Sequence, residues 1–269
     1  MKTVPDMTGL PLLQVLFLAG AGLLVASMFA YWLLFKTENG ASQTFRKLQI
    51  LLGLAVVVMH GAATRGGRPI LAFAAVCLAV GTLFESVGVK HGWIFGNYRY
   101  SDSMGLKLFG SLPVVVPLMW FTLCYLGGSM ADLLASGPFI PDPAVPAVRA
   151  LAAAGIVTLF DAVIDPIAVD EKRWVWKKPG RYHGVPASNF MGWFATTLLI
   201  FLLLNRFFYS IPVRPGIPGW MVPLPAFGFC LFFAFCANVC VERNLKPAGI
   251  LGWIAFVVLT AAGLAAVLT

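Results

Sequence analysis

Eight runs of roughly twenty apolar residues dominate this chain, each long enough to carry a helix across a bilayer. They lie near 10–35, 47–63, 69–89, 112–134, 145–167, 187–209, 218–241 and 247–268. The second is the shortest, so seven spans is the alternative count. Of the 269 residues, 59% are hydrophobic and 11% charged, against about 25% charged in a soluble domain. The expected fold is all-α: a polytopic transmembrane helix bundle, one integral membrane domain over residues 1–269. The first run is too long for a signal-peptide core and no clean small-residue cleavage site follows it, so it reads as a retained helix.

A net charge of +8 does not indicate nucleic acid in such a chain, because basic residues of membrane proteins collect in cytoplasmic loops. Lys36, Arg46, Lys47, Lys90, Arg99, Lys107, Lys172, Arg173, Lys177, Lys178, Arg181, Arg243 and Lys246 fall on one side of an eight-helix topology. Lys2, Arg65, Arg68, Arg149, Arg206 and Arg214 fall on the other. The first set is expected to be cytoplasmic, with both termini outside and the chain in a bacterial cytoplasmic membrane. The segment Gly137–Pro146 reads as an external loop. Cys77, Cys124, Cys230, Cys236 and Cys240 all lie in apolar segments with no C-x-x-C pair, and read as packing residues.

Against this background Glu85, Asp161 and Asp165 stand out, because each lies inside an apolar run. A carboxylate at a bilayer centre costs about 2.5–3.5 kcal/mol on insertion scales, and such groups usually mark a working site. Asp161 and Asp165 are one helical turn apart and share a face. Glu85 lies about 7 Å of helix before the loop that starts near Lys90, and Asp165 a similar distance before Asp170. All three acids can reach one cavity in the cytoplasmic leaflet. Two carboxyls on one face resist double ionisation, so one of them can hold a proton beside a carboxylate, which is the equipment of acid–base chemistry. The bland alternative is an ion pair or hydrogen-bond network between helices, with Arg243 or Lys90 as a partner.

The two loops that follow these helices, 88–102 and 170–189, are rich in Gly, Trp, Tyr and basic residues. They share a faint pattern, Trp93-x-x-Gly96-x-Tyr98 and Trp176-x-x-x-Gly180-x-Tyr182. Their rings read either as interfacial anchors or as the wall of an apolar tunnel mouth, where ring faces stabilise a cation. Asn189 reads as a helix cap or as a residue that positions a water. His60, His91 and His183 are too scattered to indicate a metal site.

The segments Glu85-x-x-Gly88-Val89-x-x-Gly92-x-x-Phe95-Gly96-x-Tyr98-x-Tyr100 and Asp161-x-x-x-Asp165-Pro166 carry a resemblance, together with Trp174-x-Trp176, Gly180-x-Tyr182-x-Gly184-x-Pro186-x-x-Asn189-Phe190 and Gly192-Trp193. The chain, from about 45 to 245, resembles the membrane carotenoid-biosynthesis family that contains the bacterioruberin-pathway and gamma-carotene or lycopene hydratases. The resemblance implies addition of water across the terminal C=C of a linear carotenoid of the lycopene, gamma-carotene or bisanhydrobacterioruberin type, with no cofactor and no metal. Its implied partners are an apolar polyene in the bilayer, water, membrane lipids and other enzymes of the same pathway. In this reading Asp161 or Asp165 protonates the alkene and Glu85 holds the attacking water. Trp93, Tyr98, Tyr100, Trp174, Trp176, Tyr182 and Asn189 line the substrate site.

Two other classes compete. A magnesium-dependent membrane prenyltransferase would use Asp161 and Asp165 to bind a diphosphate, but a second aspartate-rich motif is missing. A proton-coupled transporter would relay protons through the acids, but they lie near one surface instead of across the membrane.

Overall fold

A computed structural model describes residues 11–34, 40–135 and 141–268. Among these residues are eight long helices: α1 (Leu12–Leu34), α2 (Gly40–Thr64), α3 (Gly67–His91), α4 (Val115–Ala135), α5 (Val145–Asp170), α6 (Ala187–Phe207), α7 (Leu224–Glu242) and α8 (Lys246–Leu268). All eight are long and apolar enough to cross a membrane, and the fold class expected from the sequence is the one observed. The second span, shortest by hydropathy, runs further than expected because its polar start, with Arg46 and Lys47, stays helical. Lys2, Lys36 and residues 136–140 of the expected external loop lie outside the described residues.

The chain divides into two units. The first comprises the residues up to Ile70 with 212–217. In it α1 packs on α2, where Gln49 Nε2 donates to Ser27 Oγ at 3.2 Å and the Phe17 and His60 rings meet at 4.9 Å. The short return segment is tied by Arg214 N–H to the Thr64 carbonyl at 2.7 Å.

The second unit, 71–211 with 218–269, is organised around α5. This helix packs against α4, α6, α7 and α8, and its surface suits that position on every side. Ala150, Ala153 and Ala154 are buried and let neighbours approach, as small residues do between membrane helices. Phe160 meets Phe229, Phe232 and Phe233 at 4.8–5.0 Å. At its first turn Arg149 donates to Asp132 Oδ1 and to Asn205 Oδ1, both at 2.7 Å, and lies 4.3 Å from the Tyr209 ring centre. Near the other end Pro166 lacks the N–H that would reach the Ala162 carbonyl. The Tyr182 hydroxyl supplies the missing donor at 2.8 Å.

The two aromatic loops meet. Strand β1 (Tyr98–Tyr100) pairs antiparallel with β4 (Trp174–Trp176), setting Tyr98 opposite Trp176 and Tyr100 opposite Trp174. Between them in sequence, β2 (Lys107–Leu108) and β3 (Leu112–Pro113) form a small hairpin leading into α4. The β1–β4 ribbon is extended by Ser101 N–H to Arg173 O and Lys177 N–H to Asn97 O, each 2.8 Å. Gly192 allows the loop to settle on α6, since a Cβ there would stand 2.6 Å from the Phe95 ring and 2.7 Å from Ile94 O.

Candidate active site

Glu85 is buried on α3, and three donors converge on its carboxylate. Tyr98 and Tyr100 donate their hydroxyls to Oε2, the latter at 2.8 Å, and Trp120 on α4 donates its indole N–H to Oε1 at 2.9 Å. Burial first, then the neighbouring Glu85 charge, pushes both tyrosine hydroxyls well above their ordinary range, so they stay protonated donors. A carboxylate offers about four acceptor positions. Three are used, and the remaining one is on Oε1.

The aspartates are held differently. Asp161 and Asp165 are buried on one face of α5, and a single amide bridges them. Asn189 Nδ2 donates to Asp161 Oδ2 at 2.8 Å and to Asp165 Oδ2 at 2.7 Å. The expectation that Asn189 caps α6 is therefore corrected. Pro186 occupies the cap position without a side-chain bond, and Asn189 sits inside the first turn with its amide turned toward α5. Asp161 Oδ1 is buried with no hydrogen-bond partner among the described residues. Arg243, one expected partner of these acids, binds Asp170 at 2.8 Å and Glu171 at 2.7 Å.

A cavity of about 30 Å³ lies where these groups meet, enough to hold a water. Glu85, Asp165 and Asn189 supply its polar wall, and Tyr98, Tyr100, Trp174 and Trp176 belong to its lining. The ribbon fixes those rings by backbone pairing, and Trp176 Nε1 also donates to Phe95 O at 2.9 Å.

Three of the residues expected at the site stand apart from this cavity. Asp161 is outside its lining and is linked to it by the Asn189 bridge. Tyr182 has its hydroxyl on the α5 backbone. Trp93 is 66% exposed and packs beside His91, with ring centres 5.3 Å apart. None of the three histidines lines the cavity.

Trp120 and Trp193, by contrast, line it without having been singled out as site residues. Their rings stack at 4.2 Å and 25°. Trp120 is one aromatic residue within an apolar span, and no local pattern marks it. The structure makes room for it at Gly81, where a Cβ would lie 2.9 Å from the Trp120 ring.

The family model described as carotenoid biosynthesis protein matches residues 45–259. This chain belongs to the carotenoid biosynthesis protein family. The matched region holds the acids, both ribbon strands and the two stacked tryptophans. Over 121 residues the chain is 34% identical to the bisanhydrobacterioruberin hydratase of Haloarcula japonica. That match covers 45% of this chain and 40% of the relative, so less than half of either protein is compared. No solved structure matches the chain.

Proposed function

We propose that this protein is a carotenoid hydratase, a hydro-lyase that adds water across the terminal C=C of a linear carotenoid. The observation that carries the reading is a small cavity, walled by tryptophan and tyrosine rings, with Glu85 on one side and the Asp165–Asn189–Asp161 cluster on the other. Membership of a carotenoid biosynthesis family supports it, as does a hydratase relative.

A trisubstituted alkene is a weak base and needs a positioned acid. Asp165 lines the cavity and takes the donor role, with Asp161 as the coupled partner that returns the proton. Protonation of the terminal CH carbon breaks the π bond and leaves a tertiary cation. The ring faces of Trp174, Trp176 and Trp193 surround that charge with negative π density. Water held on the open acceptor position of Glu85 Oε1 adds to the cation and then loses one proton to a carboxylate. The sum is alkene plus water to tertiary alcohol, with the acid restored. Excluding bulk water strengthens each electrostatic contact. The basic ribbon end of the molecule faces the cytoplasm in this reading.

Expression in a bacterial host that accumulates lycopene tests it. A pigment heavier by one water, absent with Asp165→Asn at equal membrane abundance, is the expected result. Unchanged pigment across lycopene and other acyclic carotenoids, with protein well expressed, would overturn it.

A further inference from the structure

The site cavity is too small for a whole polyene, so the chain of such a substrate needs a berth beside the cavity that receives its reacting end. A groove of about 1090 Å³ runs along α3. Ala75, Ala79, Thr82 and Ser86 form its floor at spacings of four, three and four, one helix face of small side chains. From Ala75 to Val89 it extends about 21 Å at 1.5 Å per residue, which suits a rod and not a compact ligand.

The groove is not uniform. It is apolar from Ala75 through Leu83 and becomes polar at Ser86, Lys90 and Ser111. Ser86 Oγ is buried with no hydrogen-bond partner among the described residues. Ser86 follows Glu85 directly, so the groove's polar end and the site cavity share the same turn of α3. They also share the segment between α3 and α4: Tyr98 and Tyr100 face the cavity, while Phe109 and Ser111 line the groove. An apolar rod with one polar tip matches this layout.

We infer that the α3 groove binds the polyene chain of an acyclic carotenoid, entering sideways from the bilayer, with Ser86 placed to bond the hydroxyl of the hydrated end. The ligand rests on the hydratase reading; the site rests on the groove. Filling the floor with Ala79→Trp, or in a graded way with Ala79→Leu, removes the berth without touching Glu85, Asp161 or Asp165. Leu202→Trp, on an exposed stretch of α6, is the control for added bulk in the membrane.

The test is the amount of lycopene that co-purifies per protein from lycopene-containing membranes, read by absorbance, alongside hydrated product in whole cells. The expected result is a fall of at least tenfold in both for Ala79→Trp, a smaller fall for Ala79→Leu, and no change for Leu202→Trp. Asp165→Asn should keep its bound lycopene while losing product. Bound pigment unchanged in both Ala79 variants, or lost equally in Leu202→Trp, overturns the groove. Should Ala79→Trp fail to insert, the Ala79→Leu comparison decides alone. A wild type that binds lycopene and loses it on Ala79 substitution, yet yields no hydrated product from any acyclic carotenoid, refutes the hydratase reading and leaves the groove standing.

Discussion

At the scale of single residues, the three intramembrane acids are not equivalent. Glu85 is fixed by three donors from two different segments, whereas Asp161 and Asp165 share one amide and keep Asp161 Oδ1 unpartnered. A group whose protons move needs such slack, and a group that holds water in place needs rigidity. Asp165→Asn is therefore expected to lower product formation by about 10²–10⁴-fold, the span typical of a lost general acid. Asp161→Asn should also lose most product while remaining inserted; full activity in Asp161→Asn would remove it from the mechanism. Trp120→Phe keeps the ring and deletes the N–H to Glu85, a hydrogen bond to a charged acceptor worth about 1.5–3 kcal/mol. A ten- to hundredfold drop is expected in pigment conversion, with protein recovery as the control. The tyrosines give a test that does not depend on activity. Tyr98 and Tyr100 are raised well above the ordinary tyrosine range, burial being the main cause, and Tyr182 is pushed up to about 12. The sign follows: the folded state keeps these protons after the unfolded chain has released them near pH 10. Stability supplied by these hydroxyls is complete below that pH and falls as pH rises through it. Ultraviolet titration of tyrosinate should show three tyrosines ionising later than the rest, together with unfolding. Tyr98 or Tyr100 titrating near pH 10 in folded protein would contradict the buried Glu85 cluster.

Among elements, α5 is the one whose integrity the site needs most, and it is interrupted by Pro166 beside Asp165. The chain repairs the break from outside the helix, with Tyr182 bonding the Ala162 carbonyl. Tyr182→Phe leaves that buried acceptor unpaired, at a cost of about 1–3 kcal/mol. Thermal denaturation in detergent should show a lowered midpoint, with activity at low temperature reduced much less than in Asp165→Asn. An equal loss of activity at unchanged stability would put Tyr182 in contact with substrate instead. This residue illustrates what the sequence could and could not disclose. Span positions followed from hydropathy alone, because apolar length is a local property of a membrane helix. The acids were conspicuous for the same reason, since charge within a span is rare. The aromatic loops were recognisable as a pair, yet their antiparallel pairing was not, because strands of three residues carry no usable alternation. For Tyr182 and Asn189 the sequence did not disclose the contacts: one bonds the backbone gap left by a proline, the other bridges two carboxylates on a different helix. Trp120 lay beyond local reading, since its hydrogen bond to Glu85 spans 35 positions.

At the scale of the whole chain, the two ends of the helices of the second unit differ in charge. The ribbon end carries Arg99, Lys107, Lys172, Arg173, Lys177, Lys178 and Arg181 in its two loops, and Arg243 ties the turn between α7 and α8 to Asp170 and Glu171. The opposite end keeps Arg149 folded onto Asp132, Asn205 and Tyr209, so part of its smaller positive charge is already paired. Loop basicity sets orientation when the loops are short, and every connection described here is short. In the proposed orientation the ribbon faces the cytoplasm, the side on which a soluble proton pool and water are replenished. All five native cysteines are buried with free thiols, which leaves a low background for a thiol-specific, membrane-impermeant label. Ser103→Cys, in the exposed turn after β1, should react only after the membrane is opened or inverted. Arg214→Cys, exposed in the return segment between α6 and α7, should react in intact cells. The reverse labelling pattern would turn the protein over, and with it the side from which water enters the site. Labelling of both positions from one side would mean that an even number of spans separates them, and would contradict the three helices, α4 to α6, that lie between them.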